Sequence, residues 1–283
     1  MPSEVSAAPG ASDDDKGGAA VNNLLAGHTN SYHTYGFDEA LRGIAAAGFQ
    51  HVELSAVPGW TEHVPLDGTE EVRGKLEEQG LTAVSLSGHS DLTTREGLEH
   101  GVKAVRWAAE YGIPIVNTAV GGHASKEESE QAFLQNIGEL ADAAEGAGVV
   151  VALEIHGDIM ASGRKTLPLL EKIGRESVKV NYDTANVEYY SGEKAVDDLE
   201  AITPHLAHVH LKDTVGGKGV WNFGAIGSGS VDFGRVLEIL ERAGYTGPLS
   251  VELEFEGEPW PPLDEVDESM RRSYEHLHGL GLS

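Results

Sequence analysis

The sequence predicts an α/β protein, a single (β/α)8 barrel, and three observations lead there. Short apolar runs rich in β-branched residues alternate with amphipathic stretches about eight times along the chain. No break in composition divides that alternation into two blocks. Nearly every apolar run ends on a polar or charged residue. A doubly wound open sheet would instead gather such residues at one switch point and place a Gly-x-Gly-x-x-Gly after its first strand, which this chain lacks.

With 283 residues and 40% apolar content the chain can bury one large core. Residues 1–22 hold Ser, Ala, Gly, Pro and the acidic run Asp13-Asp14-Asp15, without the basic start or apolar centre of a signal peptide. They are expected to form a disordered tail on a cytoplasmic protein, with the barrel over residues 23–283. Asn23 to His28 is the first short strand, and Phe37, Leu41 and Ile44 mark a helix from Phe37 to Ala47 that stops at Gly48. A strand from Gln50 to Leu54 carries Glu53, and a helix spans Glu70 to Gln79 beyond a polar loop with Pro58, Gly59 and Trp60. Leu81 to Leu86 is the third strand, followed by a helix from about Glu96 to Tyr111. Pro114 to Asn117 is the fourth, followed by the loop Gly121-Gly122-His123 and a helix from about Lys126 to Gly146.

The fifth strand, Val149 to His156, is apolar until it ends on Glu154 and His156. A helix near Leu167 to Ile173 leads to the sixth strand, Val178 to Asp183, and a helical segment near Glu193 to Ile202 leads to the seventh, His208 to Leu211. A long Gly-rich loop from Thr214 to Gly229 precedes a helix from Asp232 to Ala243, the eighth strand from Leu249 to Leu253 and a closing helix from Leu263 to Leu277. The run Gly216-Gly217-Lys218-Gly219 lacks the Lys-Ser/Thr ending of a phosphate-binding loop and reads as a flexible lid.

A net charge of -26 opposes a nucleic-acid partner, and no stretch reads as a membrane span. Without cysteine, any metal must be held by oxygen and imidazole. In a barrel the C-terminal ends of the strands converge on one mouth. There Glu154, Asp183, His210 and Glu252, on four consecutive strands, would meet as three carboxylates and one imidazole. Carboxylates that close repel and raise one another's pKa unless a cation lies among them. This donor set suits a divalent ion, Mn²⁺, Mg²⁺, Co²⁺ or Zn²⁺.

The segments Val151-Ala-Leu-Glu154, Asn181-Tyr-Asp183-Thr-Ala-Asn186, His208-Val-His210-Leu-Lys212-Asp213 and Thr246-Gly-Pro-Leu-Ser-Val-Glu252 resemble the xylose-isomerase-like TIM barrel superfamily. They look most like its sugar isomerases and epimerases related to D-tagatose 3-epimerase, D-psicose 3-epimerase and hydroxypyruvate isomerase. The resemblance implies a divalent metal, Mn²⁺ first, on Glu154, Asp183, His210 and Glu252. It also implies an acid/base role for Glu154 and Glu252, a small carbohydrate substrate and a homo-oligomer. Proton abstraction beside a carbonyl, through an enediolate, is the chemistry such a site would support.

Three positions depart from the epimerase pattern: Asn186 stands where a His is usual, Met160 where a second Glu is usual, and Lys212 with Asp213 where an Arg is usual. A 3-keto-glycoside lyase acting by β-elimination, with a small partner subunit, is the alternative, because metal and base would be the same. An endonuclease resembling endonuclease IV would need several more histidines and a less acidic surface, and a metal-free binding barrel would hold no divalent ion.

His156 is a candidate extra base if its strand persists. His89, Asn117, Asn186, His208, Lys212 and Trp221 are candidate substrate contacts. Against these stand a loop-capping His89, a Trp221 packed on the rim and a solvated Lys212. Glu53 could face the barrel or bind a neighbouring backbone, and His28 and His33 read as structural.

Overall fold

The computed structural model describes residues 23–121, 127–256 and 259–283. The expected disordered tail and the Gly122-His123 loop with the start at Lys126 lie outside the described residues. Eight parallel strands close in sequence order: β1 (Leu25–His28), β2 (His51–Ser55), β3 (Thr82–Ser87), β4 (Ile115–Thr118), β5 (Val150–Glu154), β6 (Val178–Asp183), β7 (Leu206–Leu211) and β8 (Leu249–Val251). β8 pairs back onto β1 through Leu25↔Leu249, which completes the cylinder. The outer ring comprises α1 (Phe37–Ala47), α2 (Glu70–Gln79), α3 (Arg95–Tyr111), α4 (Glu127–Ala147), α5 (Gly163–Ile173), α7 (Ala195–Ile202), α8 (Phe233–Arg242) and α9 (Leu263–Gly279), with the short α6 (Asn186–Tyr190) after β6.

Strand alternation divides the chemistry into two layers. Val151 and Leu153 of β5, Tyr182 of β6, and Val209 and Leu211 of β7 belong to the apolar core under the helices. The residues between them face inward, and they are small or polar: Ser85 and Ser87, Asn117, Asn181, His208 and Ser250, all buried. Close approach is built in at Gly27, where a Cβ would lie 2.9 Å from the Ile44 side chain of α1. Register shifts fall beside Glu53 on β2 and Asn181 on β6, and such bulges re-aim inward side chains.

Two local departures from the sequence expectation have simple causes. α5 begins at Gly163, before the expected Leu167, because Ser162 caps it and Asp198 of α7 accepts its first amides, Gly163 N at 2.6 Å and Arg164 N at 3.0 Å. α6 was not expected at all. Asp183 seeds it by accepting from Ala185 N and Asn186 N, each at 2.8 Å, an Asx-type turn that only the folded strand end provides.

The Gly-rich loop after β7, whose run Gly216-Gly217-Lys218-Gly219 is expected as a flexible lid, makes backbone bonds within itself and to two other segments. Phe223 and Glu254 pair through both backbone bonds, Val215 N bonds Asn222 O, and Gly219 N bonds Tyr189 O.

Candidate active site

The C-terminal strand ends surround a cavity of about 350 Å³ walled by Asn30, Trp60, His89, Glu154, His156, Asn186, Lys212, Trp221, Glu252 and Glu254. At its floor the four predicted groups come together: one donor atom each from Glu154, Asp183, His210 and Glu252, all within 4.8 Å of one another.

Each carboxylate uses one oxygen for its own support and aims the other at the common centre. Glu154 Oε1 accepts from Asn186 Nδ2 at 2.8 Å, leaving Oε2 facing His89 Nε2 at 2.8 Å and His210 Nδ1 at 3.5 Å. Asp183 spends Oδ1 on the two α6 amides, and its buried Oδ2 has no hydrogen-bond partner. Glu252 Oε1 receives Asn30 Nδ2 and faces His28 Nδ1, both at 3.0 Å, while Oε2 faces His210 Nδ1 at 3.5 Å and Lys212 Nζ at 3.1 Å.

His210 is held from beneath. Its Nε2 lies 3.1 Å from Glu53 Oε2, so a proton there is claimed by a carboxylate and Nδ1 is turned to the three acids. Glu53 Oε1 accepts from Asn117 Nδ2 at 2.6 Å, and Glu53 Oε2 lies 3.3 Å from His208 Nε2. His208 is further fixed by Ser85, Ser250 and Asn181, each at 3.0 Å. A carboxylate behind the far nitrogen of an imidazole orients it and raises its basicity, the arrangement found behind metal-ligating histidines.

The titration behaviour fits a cation centre. Burial, together with the charges of Glu154 and Glu252 and against the pull of Lys212, raises Asp183 to about 7. Burial would lower His210, yet Glu53, Glu252 and Glu154 hold it well above the ordinary imidazole value. Burial would raise Glu154, but His89 and His210 bring it down to about 2. Burial carries His208 down to about 3 despite Glu53. A divalent cation among the three inward acids would displace the protons on Asp183 and His210 and give the Asp183 oxygen that lacks a hydrogen bond a ligand role.

Of the predicted substrate contacts, His89, Asn186, Lys212 and Trp221 line the cavity, and so does His156. β5 ends at Glu154, so His156 reaches the wall from the loop, where its Nε2 lies 2.9 Å from Tyr190 Oη. Asn117 and His208 do not line it. Both are wholly buried one layer below, because they sit a full strand step short of the rim, and their partners are Glu53, Asn181 and serines. The solvated Lys212 is excluded, since it is buried against Glu252 and Glu254, with Nζ 4.6 Å above the Phe223 ring. Asn30, Trp60 and Glu254 were missed. Glu254 continues the inward alternation of Ser250 and Glu252, a signal the sequence does carry. Asn30 and Trp60 come from loops, where no periodicity points to them. His33 stacks on the cavity-wall residue Trp60 with ring centroids 3.7 Å apart.

Residues 41–276 match the family model of the xylose isomerase-like TIM barrel. The chain belongs to that family. Among relatives of this xylose isomerase-like barrel, an L-ribulose-5-phosphate 3-epimerase of Salmonella paratyphi A is 29% identical over 233 residues, 76% of this chain and 81% of that protein. A D-allulose 3-epimerase from Methylomonas sp., solved in complex with D-allulose, superposes with a TM-score of 0.71 at 22% identity, covering 91% of this chain and 97% of that one. A xylose isomerase-like TIM barrel protein from Mycobacterium smegmatis, solved in complex with magnesium, superposes with a TM-score of 0.69 at 15% identity, covering 91% and 97%. At these identities the two structures show the barrel architecture that this family member shares.

Proposed function

We propose that the protein is a divalent-metal-dependent sugar isomerase or epimerase that moves a proton on the carbon beside a carbonyl, through an enediolate. The observation that carries the reading is the common aim of Glu154 Oε2, Asp183 Oδ2, His210 Nδ1 and Glu252 Oε2, with Asp183 Oδ2 buried and without a hydrogen-bond partner. The named epimerase relatives support the same class of reaction. These four residues would hold the ion, with Mn²⁺ expected ahead of Mg²⁺, Co²⁺ or Zn²⁺, and its charge would stabilise the oxyanion that develops on the sugar carbonyl.

The remaining work falls to side chains. His89 and His210 keep Glu154 ionised, and Lys212, His210 and His28 do the same for Glu252, so each enters the reaction able to accept a proton. One carboxylate takes the carbon-bound proton and becomes the acid; a proton is then delivered by that same group, or by the other carboxylate once it has picked one up from solvent. Return to the opposite face gives an epimer, and return to the neighbouring carbon gives an isomer. Asn186 and Asn30 hold the far oxygens of the two acids, which fixes their reach. His156, beside Tyr190, is the reserve base at the wall. Nothing among the described residues favours loss of an aglycone, as in the lyase alternative, over return of the proton.

The test is exchange of a substrate C–H with solvent in D₂O, followed by NMR on D-allulose and L-ribulose. Exchange should vanish with chelator and return with Mn²⁺, and Glu154→Gln or Glu252→Gln should lower it about 10²–10⁴-fold. Exchange that ignores the chelator, or is absent from both ketoses, would refute the proposal.

A further inference from the structure

The loop that follows β7 turns four of its backbone donors onto a side chain of its own. Asp213, wholly buried, accepts from Thr214 N at 2.9 Å, Gly227 N at 2.9 Å, Gly229 N at 2.8 Å and Val231 N at 3.2 Å. Four amides converging on one anion make a nest of the kind that elsewhere cradles phosphate, and here the anion is a side chain. The closure is tight: a Cβ at Gly229 would lie 2.3 Å from Asp213 Oδ1 and from Thr214 O. No donor of this cluster is left for a ligand.

The charged groups of the cavity point the same way. Lys212 is the only ammonium or guanidinium among the described residues that line it. Its Nζ is already engaged, hydrogen-bonded to Glu254, 3.1 Å from Glu252 Oε2 and 3.6 Å from Asp183 Oδ2. Glu154, Glu252 and Glu254 all open on the same space, whose outer wall is Val57, Pro58, Trp60 and Trp221. With Glu154 and Glu252 engaged by the proposed ion, a phosphate dianion entering here meets the Glu254 carboxylate, an ammonium already held by acids, and apolar rings. The recognition of phosphate calls for free Arg, Lys or backbone N–H donors. The hydroxyls and C–H faces of an uncharged sugar, by contrast, match acceptor carboxylates and indole walls.

Resting on the isomerase or epimerase reading above, we infer that this site takes an uncharged carbonyl sugar and rejects sugar phosphates, with the buried Lys212–Glu254 pair as the discriminating element. The chain would thereby differ in substrate class from its L-ribulose-5-phosphate 3-epimerase relatives.

The experiment uses the Mn²⁺-loaded full chain and follows C–H exchange on L-ribulose, L-ribulose 5-phosphate and D-allulose. The expected result is a kcat/KM for a free ketose at least about tenfold above that for the phosphate ester, with no competitive inhibition by inorganic phosphate. Faster turnover of the ester, or competition by inorganic phosphate, overturns the inference and leaves the epimerase reading standing. Exchange on none of the three sinks that reading, and this one falls with it. Glu254→Gln should release Lys212 and narrow the preference by about fivefold. An unchanged ratio in a folded variant removes the pair as its cause, and the wild-type comparison holds whether or not the variant folds.

Discussion

Replacing Glu53 with glutamine tests the support beneath the proposed cation site, because it keeps the shape of the side chain and removes its charge. Glu53 is wholly buried and binds His210 Nε2 at 3.1 Å and Asn117 Nδ2 at 2.6 Å. Asn117 Oδ1 has no partner, so the Asn117 amide can turn over and accept from the N–H that the substitution introduces, which preserves the packing. What is lost is the charge-assisted bond to His210. Removing such an outer carboxylate costs about 10–100-fold in metal affinity, or about 1.4–2.7 kcal/mol.

The same change has a signature in the metal-free protein. After burial, which acts in the opposite direction, Glu53 heads the causes of the raised His210 pKa. A raised folded-state value means that the ion-pair stability is complete below the unfolded imidazole pKa and is lost as pH rises through the folded one. Glu53→Gln therefore lowers the pH at which the His210 imidazole resonance titrates and shortens that window. Mn²⁺ affinity is read by calorimetry and the His210 titration by NMR. A folded Glu53→Gln protein that binds Mn²⁺ within about twofold of wild type, with His210 titrating as before, would refute the assigned support.

Other consequences can be checked independently. Mn²⁺ binding requires Asp183 ionised and His210 neutral; with Asp183 at about 7 and His210 raised, two protons leave on binding below pH 7, so apparent affinity should fall by about a hundredfold per pH unit on acidification, and a flat profile between pH 5 and 7 would contradict the ligand set. Asp198→Ala should cost about 2–4 kcal/mol in urea unfolding, since the carboxylate serves Gly163 N, Arg164 N and Tyr182 Oη at 2.6, 3.0 and 3.1 Å; a loss below about 1 kcal/mol would show that those donors find other acceptors. Gly229→Ala should loosen the loop after β7, seen as faster amide exchange at Gly227 and Val231, because its Cβ would lie 2.3 Å from Asp213 Oδ1; unchanged protection would mean the loop does not depend on Asp213.

Much of the fold is legible because it follows from local rules. β6 and α1 begin and end where their apolar spacing and the stop at Gly48 put them, and the four inward donors sit at predicted strand ends. Errors fall where a contact from another element decides the outcome. α5 starts early because Asp198 reaches across from α7, and α6 exists because Asp183 turns its own chain. Lys212, whose charge alone suggested either a mouth or a solvent position, is buried because Glu252 and Glu254 arrive from the neighbouring strand.

By itself the sequence determined the alternation of strands and helices, the layer of Ser, Asn, His and acidic residues turned inward, and the order in which Glu154, Asp183, His210 and Glu252 occur. Those are properties of periods of two and of 3.6 residues, set by backbone geometry. Only the tertiary structure decided that Glu53 stands behind His210 across 157 positions and that His28 meets Glu252 across the β1–β8 seam. Closure of a cylinder brings together strands that no local spacing relates, and the direction in which a carboxylate points is settled by the donors it finds there.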